Sequence, residues 1–385
     1  MKIIADANIP HVAECFSSIG EVQIIGGREI NKNIVANADI LLVRSITPVF
    51  ADLLTGSSVR YVATATIGFD HVDVGYLRQN SIGFASAPGS NANSAAEYVI
   101  AAMLEIAQKH NITIEGKSIG IVGVGNVGSK VCQKCKALGM KVLLNDPPLY
   151  RQTDDPKYIQ LQDLYNCDFI TFHTPLTFDG IDKTYHLAGE MFFKSLKQDC
   201  VLINASRGAV VDSKALEESI NTKRLKAIAL DVWENEPKID PKLLEKVDIG
   251  TPHIAGYSLD GKIAGLIMIY NSVCQYFGIK PEHDISDFLP EPEVKEIEIK
   301  DDSQNEQSII YKTVNKVYSI KRDDENLRQI ANEPPENIGK FFDLLRKKYP
   351  IRREFQNTQV IVKDINSSLA KKLSGIGFKV VTSDK

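Results

Sequence analysis

The sequence predicts an α/β protein with two doubly wound, Rossmann-like parallel-sheet lobes, a cleft between them and an additional α+β domain at the carboxyl-terminal end. Three observations support this prediction. Short apolar runs alternate with helix-length amphipathic segments through about 280 residues, a pattern typical of parallel βα units. A glycine-rich turn opens one of these segments, and the composition changes after residue 286.

Length and composition indicate a globular protein of two or three domains. The chain has 385 residues, of which 43% are hydrophobic and 24% charged, and its net charge is −4. That charge gives no reason to expect a nucleic-acid partner. The acids Asp6 and Glu105, the latter inside the apolar stretch 98–107, argue against a signal peptide and a membrane span. We therefore expect a cytoplasmic protein without a membrane partner.

Residues 1–92 together with 258–285 are predicted to form a substrate-binding lobe. Strands are expected at the apolar runs 3–4, 22–25, 40–43, 61–63 and 83–85. Their length and spacing favour a parallel sheet with crossover helices. A helical pattern over 259–277 returns the chain to this lobe, and such a path favours a ligand-binding cleft between two lobes.

Residues 93–257 are predicted to form an NAD-binding lobe. A helix is expected over 93–109, with Asn93 or Ser94 as its N-cap. Strands are expected at 118–122, 141–144, 169–172, 201–204, 227–230 and 248–250, with helices at 126–139, 189–196 and 212–221. This alternation is typical of a doubly wound dinucleotide-binding domain.

Residues 286–385 are predicted to form a smaller α+β domain. It would begin with a linker that contains Pro290 and Pro292 and an acidic stretch through Asp302. Strands are expected at 308–312, 359–362 and 378–381, with helices at 337–348 and 367–373. No chemical motif is visible in this part of the chain, so a role in assembly is expected.

A dinucleotide-binding turn is expected where three glycines follow the predicted strand 118–122 and precede a helix. The glycines permit a tight turn, close approach of the backbone to a pyrophosphate, and close packing of the helix on the strand. Backbone amides at the start of the helix would face the phosphates. The predicted cofactor contacts in this turn are Gly123, Gly125, Asn126, Val127 and Gly128.

Asp146 follows the next predicted strand and favours NAD over NADP as the cofactor. A carboxylate at this position accepts hydrogen bonds from the adenosine ribose hydroxyls and would repel a 2′-phosphate. The alternative role for Asp146 is that of a turn residue before two prolines. Thr174, after strand 169–172, is a further candidate cofactor contact, and His173 is expected to bond backbone or cofactor rather than to act as a base.

An arginine, a glutamate and a histidine that follow later strands suit hydride transfer from a 2-hydroxy acid. Arg207 would bind the carboxylate through two parallel hydrogen bonds, with a surface arginine as the alternative. His253 would accept the hydroxyl proton. Glu236 would bond the other ring nitrogen, fix the tautomer and favour the imidazolium. Asp231 is expected to reach the nicotinamide side of the cofactor.

An anionic substrate is expected to bind at the edge of the amino-terminal sheet. Arg44 and Ser45 follow the strand 40–43, and Thr66 and Gly68 follow the next apolar run. A guanidinium, hydroxyls and open backbone amides at one sheet edge suit an anion. The alternative for Arg44 is a solvated loop charge.

The six cysteines are too few for a disulfide scaffold. Cys132 and Cys135 have the spacing of a redox or metal pair, but they fall on a predicted helix without a second pair at zinc-binding distance. We therefore expect buried thiols and no metal site.

Together these motifs resemble the D-isomer-specific 2-hydroxyacid dehydrogenases. The resemblance spans most of residues 1–280 and is carried by the ordered segments 123–128, 146, 204–208, 230–237 and 251–253. The segments 5–10, 42–45, 64–71, 145–148 and 253–258 resemble, more narrowly, the branch of this family that oxidises 4-phospho-D-erythronate in pyridoxal phosphate biosynthesis. The resemblance thus implies an NAD-dependent oxidoreductase that acts on a small phosphorylated 2-hydroxy acid.

The resemblance also implies individual contacts and an assembly. It places substrate contacts at Ser45, Thr66 and Tyr257, and cofactor contacts at Asp146, Thr174, Ala205, Ser206, Arg207, Asp231 and Gly256. The segment 352–354 resembles part of a dimerisation domain, which implies a homodimer. Two alternatives remain open: a D-3-phosphoglycerate dehydrogenase or another D-2-hydroxyacid dehydrogenase, and an NAD-sensing binding protein similar to corepressors that share the fold.

Overall fold

A computed structural model describes residues 1–300 and 305–382 of the chain. The chain divides into two compact units, the first formed by Met1–Asn91 and Ser258–Glu291 and the second by Ala92–Tyr257 and Pro292–Lys385. Both units combine parallel sheets with helices, so the predicted α/β class is confirmed. The carboxyl-terminal residues belong to the same compact unit as the glycine-rich turn.

The first unit contains a parallel sheet built from residues 1–91, all of which are described. Its strands are β1 (Lys2–Asp6), β2 (Glu21–Ile25), β3 (Ile40–Val43), β4 (Tyr61–Thr64) and β5 (Gly83–Ala85), and its helices are α1 (Val12–Phe16), α2 (Lys32–Val35), α3 (Ala51–Leu54) and α4 (Val74–Gln79). The strand order is β2-β1-β3-β4-β5. The chain therefore reverses its direction across the sheet between β1 and β3, where ligands of doubly wound sheets commonly bind.

The second unit begins with a long buried helix and a second parallel sheet. The helix is α5 (Ala92–His110); the strands are β6 (Ser118–Val122), β7 (Lys141–Asn145), β8 (Phe169–Phe172), β9 (Cys200–Asn204), β10 (Leu225–Leu230) and β11 (Ile249–Gly250); the other helices are α6 (Asn126–Ala137), α7 (Pro147–Thr153), α8 (Glu190–Ser195), α9 (Ser213–Asn221) and α10 (Pro241–Lys246). The order β7-β6-β8-β9-β10-β11 puts the reversal between β6 and β8. The glycine-rich turn follows β6, so it lies at this reversal.

Helix α11 (Leu259–Phe277) returns the chain to the first unit, as predicted. The Ser258 hydroxyl accepts a hydrogen bond from the Gly261 amide and caps this helix. The described remainder of the chain forms β12 (Glu296–Glu298), α12 (Glu306–Val317), α13 (Ile320–Arg328), α14 (Ile338–Lys347), β13 (Gln359–Val362), α15 (Ser368–Ile376) and β14 (Lys379–Thr382). Strands β12, β13 and β14 pair in parallel, in that order.

Two local predictions are wrong. The segment 308–312, predicted as a strand, lies inside helix α12. Its β-branched residues favoured a strand, but Ile309, Ile310 and Val314 lie buried on one side at helical spacing, and packing decided the conformation. Neither Asn93 nor Ser94 caps α5, because the helix already begins at Ala92. The acidic stretch of the predicted linker extends to Asp302 and thus partly outside the described residues.

The carboxyl-terminal elements share a hydrophobic core with the sheet formed by β6 to β11. Ile310 of α12 and Phe355, which precedes β13, are buried in the same cluster as Tyr98 of α5 and Ile119 of β6. This shared core explains why these elements form one compact unit. None of the helices in residues 1–300 and 305–382 combines the length and the apolar character needed to cross a membrane.

Candidate active site

The glycine-rich turn between β6 and α6 has the backbone geometry that was predicted from the sequence. Gly123 has a φ of 86°, and a Cβ atom there would lie 2.8 Å from the backbone of His173. A Cβ at Gly128 would lie 2.0 Å from the Gly123 carbonyl oxygen. At Gly125, by contrast, a Cβ would meet nothing within 4 Å. The outer glycines are therefore required by close packing, and the middle one leaves open space at the start of α6.

This open space has the chemistry that a dinucleotide needs. Gly125 and Asn126 are exposed, and the N-cap Gly125 offers no side-chain hydrogen bond to the first amides of α6. Those amides have no intrahelical acceptor and suit a phosphate. Thr174, after β8, has a buried hydroxyl oxygen without a hydrogen-bond partner among the described residues. A bound ligand would satisfy that hydroxyl, so the residues present fit the predicted cofactor.

Asp146 combines the two roles that the sequence left open. Its Oδ1 accepts a hydrogen bond from the Leu149 amide at 3.0 Å and caps α7, which begins at Pro147. Its Oδ2 accepts from the Val124 amide of the glycine-rich turn at 2.7 Å. Each carboxylate oxygen has two lone pairs, so the capping role leaves acceptor capacity for ribose hydroxyls.

His173 is poorly suited to act as a base. Its Nε2 lies 3.0 Å from the Thr171 hydroxyl, and its Nδ1 is buried without a hydrogen-bond partner among the described residues. Burial lowers the pKa of the ring to about 3. The imidazole therefore stays neutral, in line with the subordinate role that the sequence suggested.

The Arg207 loop is shaped by the buried Asn204 at the end of β9. The Asn204 side chain accepts hydrogen bonds from the Ser206 amide and hydroxyl and donates one to the Arg207 carbonyl. A Cβ at Gly208 would lie 2.0 Å from the carbonyl group of Trp233, so the loop packs directly on the backbone that leads to Glu236. The Arg207 loop and the glutamate loop are thus in contact.

His253 and Glu236 form the hydrogen bond that was predicted. The His253 Nδ1 lies 2.5 Å from Oε1 of Glu236, and the other Glu236 oxygen accepts a hydrogen bond from the Trp233 amide at 3.1 Å. Burial raises the pKa of Glu236, but His253, the Trp233 amide and Arg346 together lower it below its ordinary value. Glu236 is therefore ionised at neutral pH and fixes the ring through Nδ1, which leaves Nε2 for another partner.

Asp231 organises the loop that holds His253. Its buried carboxylate accepts hydrogen bonds from the Thr251 hydroxyl at 2.6 Å, the Ile254 amide at 2.8 Å and the Ala255 amide at 2.9 Å. The His253 amide donates to the Asp231 carbonyl at 2.7 Å. The sequence assigned Asp231 only to the cofactor and did not predict this role. Because Asp231 and Thr251 each follow a strand, their shared position at the sheet edge could have indicated the contact.

Tyr257 and Gly256 follow this loop and lie beside carboxyl-terminal residues. The Tyr257 ring packs edge-on against Tyr349, with 5.9 Å between ring centroids. The Arg352 guanidinium donates to the carbonyl of Ala255 at 2.8 Å, just before Gly256. Sequence reasoning missed Arg346, Tyr349 and Arg352 as neighbours of the site, because no motif surrounds them.

Three predicted substrate residues belong to the first unit. Arg44 follows β3 and donates from Nη1 to the Asn8 carbonyl at 2.9 Å. The Thr66 hydroxyl lies 2.7 Å from that of Thr64 and donates to the Gly68 carbonyl. Ser45, beside Arg44, is exposed. The structure thus puts Arg44 and Ser45 at the reversal of the first sheet, while Tyr257 and all predicted cofactor contacts belong to the second unit.

Two further groups of polar side chains are the thiols and the cluster of His186, Asp212 and Glu234. Cys132 and Cys135 are both buried, and burial raises the pKa of Cys135. His186, Asp212 and Glu234 bring candidate metal-ligating atoms within 4.8 Å of one another. However, His186 already bonds Glu234 at 2.6 Å, and Glu234 accepts from the Ser213 amide. Asp212 accepts hydrogen bonds from the Lys214 and Ala215 amides, so each of the three groups already has a partner within the protein.

Comparison with known proteins relates nearly the whole chain to one group of enzymes. Residues 93–255 match the family model of the D-isomer specific 2-hydroxyacid dehydrogenase NAD binding domain, and residues 288–377 match a domain of unknown function. The chain is 42% identical over 380 residues to an erythronate-4-phosphate dehydrogenase of Proteus mirabilis (98% of this chain, 99% of the relative). It is 43% identical over 382 residues to the enzyme of that name in Escherichia coli strain 55989 (99% of each chain).

Solved structures with the same fold are more distant in sequence. The TT0316 protein from Thermus thermophilus is similar with a TM-score of 0.64 and 23% identity, over 74% of this chain and 99% of that one. A D-lactate dehydrogenase from Aquifex aeolicus, solved with NAD and lactic acid, gives a TM-score of 0.61 and 22% identity, over 72% and 96%. At these identities the likeness confirms the fold alone.

Proposed function

The chain belongs to the erythronate-4-phosphate dehydrogenases within the D-isomer specific 2-hydroxyacid dehydrogenase family, and we propose that it oxidises 4-phospho-D-erythronate to 2-oxo-3-hydroxy-4-phosphobutanoate. Its nucleotide-binding unit is an NAD-binding domain of that family. When bound, NAD accepts the hydride that leaves C2 of the substrate. The reaction would supply pyridoxal 5′-phosphate biosynthesis, a role that follows from the name of the relatives.

The observation that most supports this proposal is the pairing of His253 with Glu236 at 2.5 Å. Because Nδ1 of His253 is engaged by the carboxylate, Nε2 is the nitrogen that accepts the proton of the 2-hydroxyl. The ionised Glu236 stabilises the imidazolium that results. Arg207 binds the substrate carboxylate and so orients C2 for loss of the hydride.

The remaining site residues divide into two proposed groups. Cofactor contacts are assigned to Gly123, Gly125, Asn126, Val127, Gly128, Asp146, Thr174, Ala205, Ser206, Arg207, Asp231 and Gly256. Arg44, Ser45, Thr66 and Tyr257 are assigned to the substrate. The open start of α6 and the unpaired Thr174 hydroxyl support the first group; the position of Arg44 at the reversal of the first sheet supports the second.

We also propose an organisation for the whole enzyme. Residues 1–92 and 258–285 form the substrate-binding domain, residues 93–257 the NAD-binding domain, and residues 286–385 a dimerisation domain of a cytoplasmic homodimer. Support for dimerisation comes from the family resemblance and from exposed apolar side chains in the last part, including Ile351 at 70% exposure. Cell fractionation tests the location.

Steady-state kinetics test the proposed substrate. Wild-type enzyme with NAD is expected to have a larger kcat/KM for 4-phospho-D-erythronate than for D-3-phosphoglycerate, measured as formation of NADH. The opposite preference would replace the proposed substrate with the shorter acid. Binding of NADH without turnover of any 2-hydroxy acid would instead favour an NAD-sensing protein.

Replacement of the proposed base tests the mechanism. His253→Ala is expected to lower kcat by about 10²- to 10⁴-fold, because the hydroxyl proton loses its acceptor. The affinity for NADH, measured by fluorescence titration, should stay within about threefold of wild type. Retained turnover in this variant would exclude His253 as the base.

A further inference from the structure

Helix α14 packs beside the loop that contains Glu236, although it lies outside the segment 93–255 that matches the dehydrogenase family. Its residues Ile338 and Phe342 are buried in the same hydrophobic cluster as Trp233. A Cβ atom on Gly339 would lie 3.5 Å from the Pro237 side chain, an ordinary van der Waals contact. The helix therefore packs against Pro237, the residue that follows Glu236.

The last turn of this helix brings a cation to the candidate active site. The guanidinium carbon of Arg346 lies 5.5 Å from the centre of the Tyr257 ring. Burial alone would lower the pKa of Arg346, but Tyr257, Glu236 and Asp343 raise it above its ordinary value. Arg346 in turn contributes to the lowered pKa of Glu236. Arg346 is thus permanently charged. Its charge acts on Glu236, which is proposed for catalysis, and on Tyr257, which is proposed for substrate binding.

One donor of this guanidinium lacks an acceptor in the part of the chain that the structure describes. The Nε of Arg346 is buried and has no hydrogen-bond partner among the described residues. A buried donor on a charged group is unfavourable unless an acceptor reaches it, and such groups are uncommon in folded proteins. A guanidinium is also the side chain best suited to a phosphate, because its planar donors match two phosphate oxygens.

We propose that Arg346 is a further substrate-binding residue and that it holds the phosphate group of the phosphorylated 2-hydroxy acid. The inference rests on the proposed function. In that scheme Arg207 takes the carboxylate and His253 the 2-hydroxyl, and Arg44, the other cation assigned to the substrate, cannot by itself neutralise a dianionic phosphate. The side chain of Tyr257, proposed to contact the same substrate, lies against the Arg346 guanidinium.

The test compares substrates with and without the phosphate, 4-phospho-D-erythronate and D-erythronate, in wild type and in Arg346→Met. The variant is expected to lose about 10- to 100-fold in kcat/KM for the phosphorylated acid, the range of one charge-assisted hydrogen-bonded contact. The loss should appear in KM, while kcat/KM for D-erythronate stays within about twofold. Arg346→Lys, which keeps the charge without the fork, should recover part of the loss.

Lys347→Met is the matched control, because it removes the same charge from an exposed neighbour on the same helix end; it should leave both substrates unaffected. NADH affinity and thermal unfolding check that each variant is folded. An equal loss for both substrates in Arg346→Met would mean that Arg346 acts only through Glu236. No loss for either substrate would mean that its charge acts only on the helix dipole. Either result would overturn this inference and leave the proposed function standing. A wild-type enzyme that does not prefer the phosphorylated acid overturns the proposed function, and this inference with it.

Discussion

At the scale of single residues, Gly208 determines how two loops of the site meet. Its missing side chain lets the Arg207 loop contact the Trp233 backbone, three residues before Glu236. The sequence placed Arg207 and Glu236 correctly after their strands, because strand ends are local features. It could not show that a glycine between them forms the contact.

Gly208→Ala tests this contact. A methyl group 2.0 Å from the Trp233 carbonyl must push the two loops apart. We expect a loss of about 1–3 kcal/mol in the free energy of unfolding and a fall of about tenfold or more in kcat/KM, because Arg207 and Glu236 would lose their alignment. Denaturant unfolding and steady-state kinetics measure both effects.

Gly339→Ala provides the control for this substitution. Gly339 lies within helix α14, and its Cβ would meet its nearest neighbour at 3.4 Å. Alanine there is expected to leave activity unchanged and to stabilise the protein by up to about 1 kcal/mol, because alanine is the better helix former. If Gly208→Ala behaved like this control, the two loops would not depend on the close approach.

At the scale of elements, helix α5 joins the nucleotide-binding sheet to the carboxyl-terminal segment. Glu97 of α5 accepts hydrogen bonds from the Phe355 amide at 2.9 Å and from the Asn93 side chain. Burial and then the nearby Glu354 raise the pKa of Glu97, while Lys134 and Arg352 lower it; the result is a pKa of about 8. A protonated glutamate is therefore part of this junction near neutral pH.

This protonation predicts a pH-dependent stability. Between the ordinary glutamate pKa of about 4.5 and about 8, the folded protein binds the proton of Glu97 more tightly than the unfolded chain does. The free energy of unfolding should fall as the pH rises through this window, by at most about 1.4 kcal/mol per pH unit. The Glu97→Gln variant, which cannot ionise there, should lose this slope in thermal unfolding.

Glu105→Gln is the matched control on the same helix. Glu105 accepts a hydrogen bond from the Tyr311 hydroxyl, and its replacement should leave the pH slope as in wild type. A Glu97→Gln variant with the wild-type slope would show that another group titrates. The helix α12, which includes Tyr311, is also where the sequence prediction of a strand was wrong, since its packing against α5 outweighed local strand propensity.

At the scale of the whole molecule, the carboxyl-terminal elements are part of the folded unit that binds the nucleotide. Arg352 donates to the carbonyls of Ser94 and Ala255, and Glu354 accepts from Asn93 and Ser94. These buried bonds connect the start of α5 and the end of the His253 loop to one segment. An element proposed for assembly thus also supports the geometry of the site.

The proposed homodimer is tested by sedimentation velocity. At micromolar concentrations we expect a species with twice the chain mass of 42.6 kDa, because exposed apolar side chains such as Ile351 favour burial in an interface. A monomer over the whole concentration range would contradict the proposed dimerisation domain.

Sequence patterns alone predicted the fold class, the glycine-rich turn, the strands and longer helices of the first 280 residues, and the pairing of His253 with Glu236. These features follow from short periodic patterns and from residue types at strand ends, and both depend only on residues close together in the sequence. Only the tertiary structure revealed Asp231 as the organiser of the His253 loop, and Arg346 and Arg352 as its neighbours. These contacts join residues at least 20 positions apart in the chain, so they depend on how whole elements pack.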